Sequence, residues 1–239
     1  MRNMATILQR ELGGYFLSPI AYVVAATFLF TTGLAFGLGT FSPGADSSLQ
    51  PLMNPWIVII LLFVLPMLTM RLMCEELRSG TIETLMTAPI TDAEVVLGKF
   101  FGAMVFYLIL LAAMLLYPIL LERYGEVDFT LLVCNYLGLI LLGGLYVSVG
   151  LFFSAWSKHE VIAVLLGLTV LTLMTFAFDG LSRQLEGWPR ALLQQLSIRT
   201  HFLDFVRGLV TLNHLAFFLS TTALFLFLTV KLLESRRWQ

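Results

Sequence analysis

The chain reads Glu75-Glu76-Leu77-Arg78-Ser79-Gly80-Thr81-Ile82-Glu83-Thr84-Leu85-Met86-Thr87-Ala88-Pro89-Ile90 between two long apolar runs, and this is its densest polar segment. We expect Gly80 to end the preceding helix and Pro89 to stop the short helix that follows. The residues between them, about 81–88, then form one helix of about 12 Å at 1.5 Å per residue. Thr91-Asp92-Ala93-Glu94 has the pattern of a capping box, which predicts the start of the next long helix.

This segment predicts a small rigid foot at the membrane surface, held by the membrane helices on either side of it. The polar segment covers residues 74–94, and we use the word foot for its middle part, residues 81–90, from here on. Such a foot is suited to docking on another protein. The alternative is an ordinary polar loop that only connects two spans, and the residues alone leave both interpretations open.

Composition places the chain among integral membrane proteins. Of its 239 residues, 59% are hydrophobic and 12% are charged, whereas soluble domains carry roughly 25% charged residues. The mean hydropathy is +0.90, and a soluble fold cannot hide so much apolar surface. The net charge of −1 excludes the basic surface of a nucleic-acid-binding protein. The first 18 residues hold no central apolar run, so we expect no secretory signal peptide.

Six apolar runs predict six membrane-spanning helices in one all-α membrane domain over residues 1–239. Each run is near the ~20 residues needed to cross the hydrocarbon. The runs are 20–40, 56–73, 95–121, 131–154, 160–178 and 214–233. Pro66 and Pro118 fall inside the second and third runs, and membrane helices tolerate proline when neighbours satisfy the freed carbonyl. Gly33-x-x-x-Gly37 and a second glycine series predict close helix contact within the subunit; that series is Gly138, Gly143, Gly144 and Gly150.

Two further segments predict helices at the membrane surfaces. Residues 2–18 place apolar side chains at helical spacing, which is typical of an amphipathic helix lying in the interface; these are Met4, Ile7, Leu8, Leu12 and Tyr15. Residues 179–213 form the longest connection, and Pro189 can begin a helix there. Two apolar stripes follow it and predict one or two short helices in the opposite leaflet: Leu192, Leu193 and Leu196, then Phe202, Phe205, Val206 and Leu209.

The basic residues predict the orientation of the chain in the membrane. Five flank one side, Arg123, Arg183, Arg190, Arg199 and Arg207. The other nine of the fourteen flank the opposite side, Arg2, Arg10, Arg71, Arg78, Lys99, Lys158, Lys231, Arg236 and Arg237. Because cytoplasmic flanks carry the excess of Lys and Arg, we expect both termini and the foot in the cytoplasm.

The sequence shows no signature of an enzyme. Gly98-Lys99 is followed by Phe100 and lacks the earlier glycine of a phosphate-binding loop, so we expect the chain itself to bind no ATP. We predict no catalytic, cofactor-binding or metal-binding residue. The three histidines lie on loops or span edges, one of them on the opposite face, so a shared metal site is not expected. We also expect no charged residue deep in a span, which disfavours a proton-driven transporter or an ion pump.

The pattern Glu76-x-x-x-Gly80-Thr81-x-Glu83-x-Leu85-x-x-x-Pro89-Ile90 between the second and third spans resembles the ABC-2 type transporter permeases. It looks most like the GldF-like subgroup, named for gliding motility, and its relatives in multicopper-enzyme maturation. His201-Phe202-Leu203-Asp204-Phe205-x-Arg207-Gly208, before the sixth span, is also similar to this group. The resemblance covers nearly the whole chain.

The resemblance implies that Thr81 to Ala88 is a coupling helix, which inserts into a cleft on a separate ATP-binding subunit. Glu83 would meet that subunit, Glu76 would bond near the membrane boundary, and residues 2–18 would be the connecting helix of the family. The residues implied in ATPase docking are Glu76, Gly80, Thr81, Glu83, Leu85, Met86 and Pro89.

The resemblance also implies a complex in the bacterial inner membrane. Two ATP-binding subunits, which hold the ATP, would join this chain and a second permease, identical or different, with a path between the permeases. One alternative is a mechanotransmission or assembly subunit that moves no solute. Two others come from outside the family. A membrane enzyme or redox anchor would need haem-ligating histidines within spans or clustered carboxylates at an interface, and neither is present in the sequence. A plain structural anchor would not need the glycine- and proline-bracketed foot with Glu83.

Overall fold

The computed structural model describes residues 2–40, 56–80, 91–122 and 128–237. These ranges are almost entirely helical and contain no strand. The helices are α1 (Arg2–Leu17), α2 (Pro19–Thr40), α3 (Trp56–Thr69), α4 (Arg71–Ser79), α5 (Asp92–Met114), α6 (Leu116–Leu121), α7 (Phe129–Trp156), α8 (Glu160–Thr172), α9 (Phe178–Ser182), α10 (Trp188–Leu196), α11 (Ile198–Val206) and α12 (Leu212–Arg237). A π-helical turn, Leu173–Ala177, joins α8 to α9.

The six predicted spans are confirmed in the part of the chain that the structure describes. Six segments are long and apolar enough to cross a membrane: Pro19–Leu38, Trp56–Ser79, Asp92–Leu121, Phe129–Trp156, Glu160–Ser182 and Leu212–Arg236. The second is built from α3 and α4, which meet at Met70, four residues after Pro66. The amide of Met70 still donates to the carbonyl of Pro66 at 3.0 Å, so the two helices continue as one span. The third span is interrupted in the same way at Leu115, three residues before Pro118.

α7 is the centre of the bundle. It contacts α3, α4, α5, α8, α11 and α12, and most of its side chains are buried. Three glycines let neighbouring helices approach its backbone. A Cβ on Gly138 would lie 2.8 Å from the Cβ of Phe205, and a side chain on Gly143 or Gly150 would overlap Tyr107 or Thr69 respectively. The expected close contact within the subunit is therefore confirmed for these three glycines.

α1 is a separate helix, as predicted, and it packs on α5 through a glycine pair that the sequence analysis missed. A Cβ on Gly98 would lie 2.9 Å from the Cβ of Ile7, and one on Gly102 would lie 2.9 Å from the Cβ of Glu11. The same spacing in α2 behaves differently. Gly33 meets the Tyr117 hydroxyl at 3.2 Å, but a Cβ on Gly37 would meet no described atom within 4 Å. Among the described residues, the expected contact within the subunit is therefore seen at Gly33 and not at Gly37.

The long connection between the fifth and sixth spans folds into two short helices, α10 and α11. Pro189 lies in the first turn of α10, as predicted. The α11 stripe is buried at Phe202, Phe205 and Val206, which pack on the opposite end of α7 from the foot. Leu209 does not belong to this stripe, because α11 ends at Val206 and Leu209 is exposed. α10 has no buried residue, so its apolar side chains are free to face lipid.

Candidate functional site

The structure describes both edges of the foot. α4 ends at Ser79, and Gly80 follows with φ +73° in the left-handed region. Glycine adopts this conformation without the steric cost that a Cβ brings, which is why it commonly ends helices. The prediction that Gly80 ends the preceding helix is confirmed. Because a residue in this conformation turns the chain sharply, Gly80 sets the direction in which the foot leaves the second span.

The other edge is the capping box predicted at Thr91. The Thr91 hydroxyl accepts from the amide of Glu94 at 3.3 Å, and the Glu94 carboxylate accepts from the amide of Thr91 at 3.2 Å. α5 begins at Asp92, directly after this cap. The reciprocal bonds satisfy two backbone donors that the first helical turn leaves open. The third span therefore starts at a fixed residue, and the segment between Gly80 and Thr91 has ten residues to connect the two edges.

Five of the seven residues proposed for docking, Thr81, Glu83, Leu85, Met86 and Pro89, lie outside the described residues. Their role, and the coupling helix itself, stay predictions. Glu76 and Gly80 are described, and both lie at the end of α4.

A buried ionic cluster joins α1 to α4 and α5, the two helices that the foot connects. We define the Lys99 cluster as Arg10, Glu11, Glu76 and Lys99. The Lys99 ammonium lies 2.9 Å from Oε1 of Glu11 and 3.0 Å from Oε1 of Glu76. Arg10 lies 2.6 Å from Oε1 of Glu76 and 3.2 Å from Oε1 of Glu11. Two cations therefore face two carboxylates, and the cluster as a whole is neutral.

The burial of the cluster was not indicated by the sequence. The side chain of Lys99 is only 2% exposed, and those of Glu11 and Glu76 are each 15% exposed. We expected no charged residue deep in a span, and Lys99 is the eighth of the 30 residues of its span, close to the end at Asp92. In the sequence Lys99 is one of the basic residues that flank the spans, but in the structure α1 covers its side chain. The Oε2 atom of Glu76 is also buried, and it has no partner among the described residues.

The cluster fixes α1 to both helices that carry the foot. Glu76 belongs to α4 and Lys99 to α5, so the end of the second span and the start of the third are held on one ionic network. Removing one partner of a buried pair leaves an uncompensated buried charge, which costs several kcal/mol. The three helices are therefore expected to move together at this end of the bundle. Nothing in the local sequence signals this network, because its four members come from three separate helices.

Ser154 connects the same end of α4 to α7. Its hydroxyl oxygen accepts from the amides of Met73 and Cys74 at 3.0 and 3.2 Å, and it donates to the carbonyl of Met70 at 2.8 Å. The break at Met70 leaves amides in the first turn of α4 without helical acceptors, and Ser154 satisfies two of them. Ser154 is fully buried, so these bonds replace water. The sequence analysis did not identify this residue.

The turn between the fourth and fifth spans lies beside α4. Arg71 at the start of α4 bonds through Nε to Oε2 of Glu160 at 3.1 Å. The Ser157 hydroxyl and the backbone of His159 exchange bonds at 3.0 and 3.1 Å, which closes the turn.

The histidines lie at two opposite ends of the bundle, as expected, and two of them form a pair that the sequence analysis did not predict. His201 in α11 and His214 in α12 meet, with their Nδ1 atoms 2.6 Å apart, while His159 lies on a turn at the other end of the bundle. Nε2 of His214 lies 3.2 Å from a carboxylate oxygen of Asp204. Within the described ranges, no group of three or more metal-ligating side chains is placed to hold a metal ion. The pair was missed because the two histidines come from different helices.

Comparison with known proteins gives one match. The family model described as ABC-2 family transporter protein matches residues 38–229, the greater part of the chain. The match includes the foot, five of the six spans and both short helices, and it begins after α1 and most of α2. No curated protein matches the chain.

Proposed function

The chain belongs to the ABC-2 family of transporter proteins and is the membrane permease subunit of an ABC transporter. From this premise we propose that its foot couples ATP hydrolysis in a separate subunit to export or to conformational work across the membrane. The ATP is bound by that partner, and this chain contributes no ATPase site. The proposed docking residues are Glu76, Gly80, Thr81, Glu83, Leu85, Met86 and Pro89.

The observation that carries the proposal is the Lys99 cluster, which joins the end of α4 to the start of α5, the two helices that the foot connects. A foot that transmits force needs a rigid base, because a displacement at a flexible base is absorbed locally. Salt bridges of 2.9 and 3.0 Å from Lys99 join α1 and α4 to α5, and Ser154 joins α4 to the central helix α7. These contacts support transmission from residues 81–90 into the second and third spans. A plain connecting loop has no requirement for such a base.

Within this proposal, residues 81–88 form the coupling helix and Glu83 contacts the ATP-binding subunit. Glu76 has a different role, because its carboxylate is committed to Arg10 and Lys99. It contributes to docking by holding the base of the foot in place. Closure of two ATP-binding subunits would then move two feet, one on each permease of the dimer.

The proposed setting is the bacterial inner membrane, with both termini in the cytoplasm and the second permease either identical or different. The GldF-like subgroup is proposed on the foot motif alone. The second candidate within the family is a mechanotransmission or assembly subunit that moves no solute. The neutral Lys99 cluster is compatible with it, since its cations are already paired with carboxylates.

Co-purification tests the proposal. The chain is expressed with the ATP-binding subunit encoded beside it and extracted in detergent, and the amount of captured subunit is measured with and without Glu83→Arg. We expect stable capture by the unaltered chain. The substitution should abolish it, because it places a cation where the partner cleft receives a carboxylate, while the thermal unfolding of the membrane domain stays the same.

The matched control is Glu186→Arg, the same charge reversal on an exposed residue in the loop before α10. It should leave capture intact. Equal capture by the Glu83→Arg variant would show that Glu83 does not meet the partner. A folded chain that captures no ATP-binding subunit at all would leave the foot as an ordinary loop and favour the structural anchor.

A further inference from the structure

A crevice of about 430 Å³ opens between α1, the start of α2 and the second span. It lies beside the Lys99 cluster, at the end of the bundle that carries the foot. α1 forms one wall and bends into α2 at Ser18, while α3 and α4 form the facing wall. The crevice is therefore at the level where an interfacial helix meets the first membrane span, which is the level of lipid headgroups.

The inner part of the crevice is charged. Glu75 and Arg71, both on α4, line it together with Glu11 of α1. Arg71 uses its Nε for the salt bridge with Glu160, and its two terminal nitrogens have no acceptor among the described residues. The carboxylate of Glu75 is exposed and forms no ion pair within the described ranges. The carboxylate of Glu75 and the two terminal nitrogens of Arg71 are thus available to a ligand at the same opening.

The outer part of the crevice is apolar. Val24 and Leu68 are 5% and 4% exposed and form its inner surface. Met67 and Leu17 stand at its edge and are 46% and 86% exposed. Exposed apolar side chains at the edge of a membrane span fit contact with lipid. The crevice therefore runs from charged groups at the membrane surface to an apolar channel directed into the bilayer.

We propose that this crevice binds one phospholipid that carries a primary amine, of the phosphatidylethanolamine type, from the surrounding leaflet. The ammonium bonds to the carboxylate of Glu75, and the phosphate lies against the terminal nitrogens of Arg71. An acyl chain follows Val24 and Leu68. This proposal requires only that the chain spans a bilayer, and it is independent of ATPase docking.

The charge arrangement selects among headgroups. A primary ammonium donates hydrogen bonds to a carboxylate, whereas the trimethylammonium of phosphatidylcholine has no N–H to donate. An anionic headgroup without an amine, as in phosphatidylglycerol, would place its phosphate near Arg71. It offers no cation to the carboxylates of Glu75 and Glu11, which would then face only its negative charge. The crevice therefore fits the amine-bearing lipid better than either of the others.

Native mass spectrometry of the full chain tests this site. The detergent-solubilised protein is incubated with equal amounts of phosphatidylethanolamine and phosphatidylcholine of identical acyl chains, and the lipid retained after collisional removal of detergent is counted. We expect one retained phosphatidylethanolamine, with a preference of about tenfold, the size that one charge-assisted hydrogen bond at an exposed carboxylate provides. Glu75→Gln should remove the preference, and Glu186→Gln, the same change at the opposite end of the molecule, should keep it.

A second pair of variants tests the crevice without touching its charges. A Cβ on Gly13 or on Gly14 would meet no described atom within 4 Å, but only Gly14 lines the crevice. Gly14→Trp should fill the opening and reduce retention of either lipid, whereas Gly13→Trp should not. Equal retention of both lipids by the unaltered chain would overturn the proposal, as would a preference that survives Glu75→Gln. In a second incubation, phosphatidylglycerol replaces phosphatidylcholine. Stronger retention of phosphatidylglycerol there would assign the site to Arg71 and overturn the amine selectivity.

Discussion

The Nδ1 atoms of His201 and His214 lie 2.6 Å apart, so one ring donates a hydrogen bond to the other across the contact between α11 and α12. Nε2 of His201 lies 2.9 Å from the carbonyl oxygen of Gln195, which can only accept, so this nitrogen carries a proton. Burial lowers the pKa of His201, and its ring is neutral near pH 7. Its Nδ1 is therefore the acceptor, and Nδ1 of His214 is the donor.

This arrangement predicts that the protein loses stability in mild acid. The charges that face His201 are those of His214 and Asp204. Burial lowers the pKa of His201 and outweighs the opposing effects of the Gln195 carbonyl and of Asp204. In the unfolded chain, His201 regains a pKa of about 6.5. As the pH falls through that value, the unfolded chain binds a proton that the folded chain does not, so the free energy of unfolding decreases. Thermal unfolding in detergent, measured between about pH 7.5 and pH 5, checks this.

The contribution of His201 is separated by two substitutions. In the unaltered chain the ring centroids of His201 and Phe217 lie 4.2 Å apart, and His201→Phe keeps a stacked ring at this position. Because phenylalanine cannot titrate, part of the acid sensitivity should disappear. His159→Phe changes an exposed histidine at the other end of the bundle and should leave the pH profile as it was. An unchanged profile for His201→Phe would show that the buried pair does not titrate in this range.

Lys99→Gln is expected to destabilise the membrane domain by about 3 kcal/mol, because it leaves two largely buried carboxylates with only the partly exposed Arg10. Lys231→Gln is the matched control, since Lys231 forms a 2.6 Å pair with Glu234 that is exposed on both sides. An exposed pair of this kind contributes less than about 1 kcal/mol. Thermal unfolding of the two variants in detergent compares them directly. Equal losses would mean that the Lys99 cluster is not buried from water.

Two adjacent glycines on α7 should respond differently to the same change. A methyl group on Gly143 would overlap the ring of Tyr107, which is fully buried and bonded through its hydroxyl to the carbonyl of Leu139 at 2.9 Å. Gly143→Ala should therefore cost about 1–3 kcal/mol or more of stability. A methyl group on Gly144 would find its nearest neighbour at 3.9 Å, an ordinary contact. Gly144→Ala should be neutral or stabilising, and thermal unfolding in detergent distinguishes the two variants.

Gly80→Pro should weaken capture of the ATP-binding subunit. Proline holds φ near −65°, whereas this position has φ +73°, so the chain would leave α4 in a different direction. Gly80→Asn is the matched variant, since asparagine tolerates the left-handed region, and a Cβ at this position meets no described atom within 4 Å. Co-purification with the ATP-binding subunit should detect a loss for proline and near-normal capture for asparagine. Equal capture by both would show that the direction set at Gly80 does not control docking.

The six spans, the separate helix α1, the two short helices α10 and α11, and the edges of the foot could all be predicted from the sequence. The signals for them are local. A run of about twenty apolar residues must cross the bilayer or aggregate, and the Thr91–Glu94 bonds join residues three apart. Gly80 likewise acts through its own backbone. Each of these features depends on residues that are close together in the chain.

Tertiary structure alone decided the contacts that make the site. The sequence places Lys99 among the basic residues that flank a span. In the structure α1 covers it by packing on Gly98 and Gly102, and its partner Glu76 comes from another helix. The spacing of Gly33 and Gly37 is the same as that of Gly98 and Gly102, yet only the second pair packs as a whole. The physical reason is that burial is a property of the assembled helices: which face of a helix is covered depends on partners far away in the chain, and periodicity within one helix does not specify them.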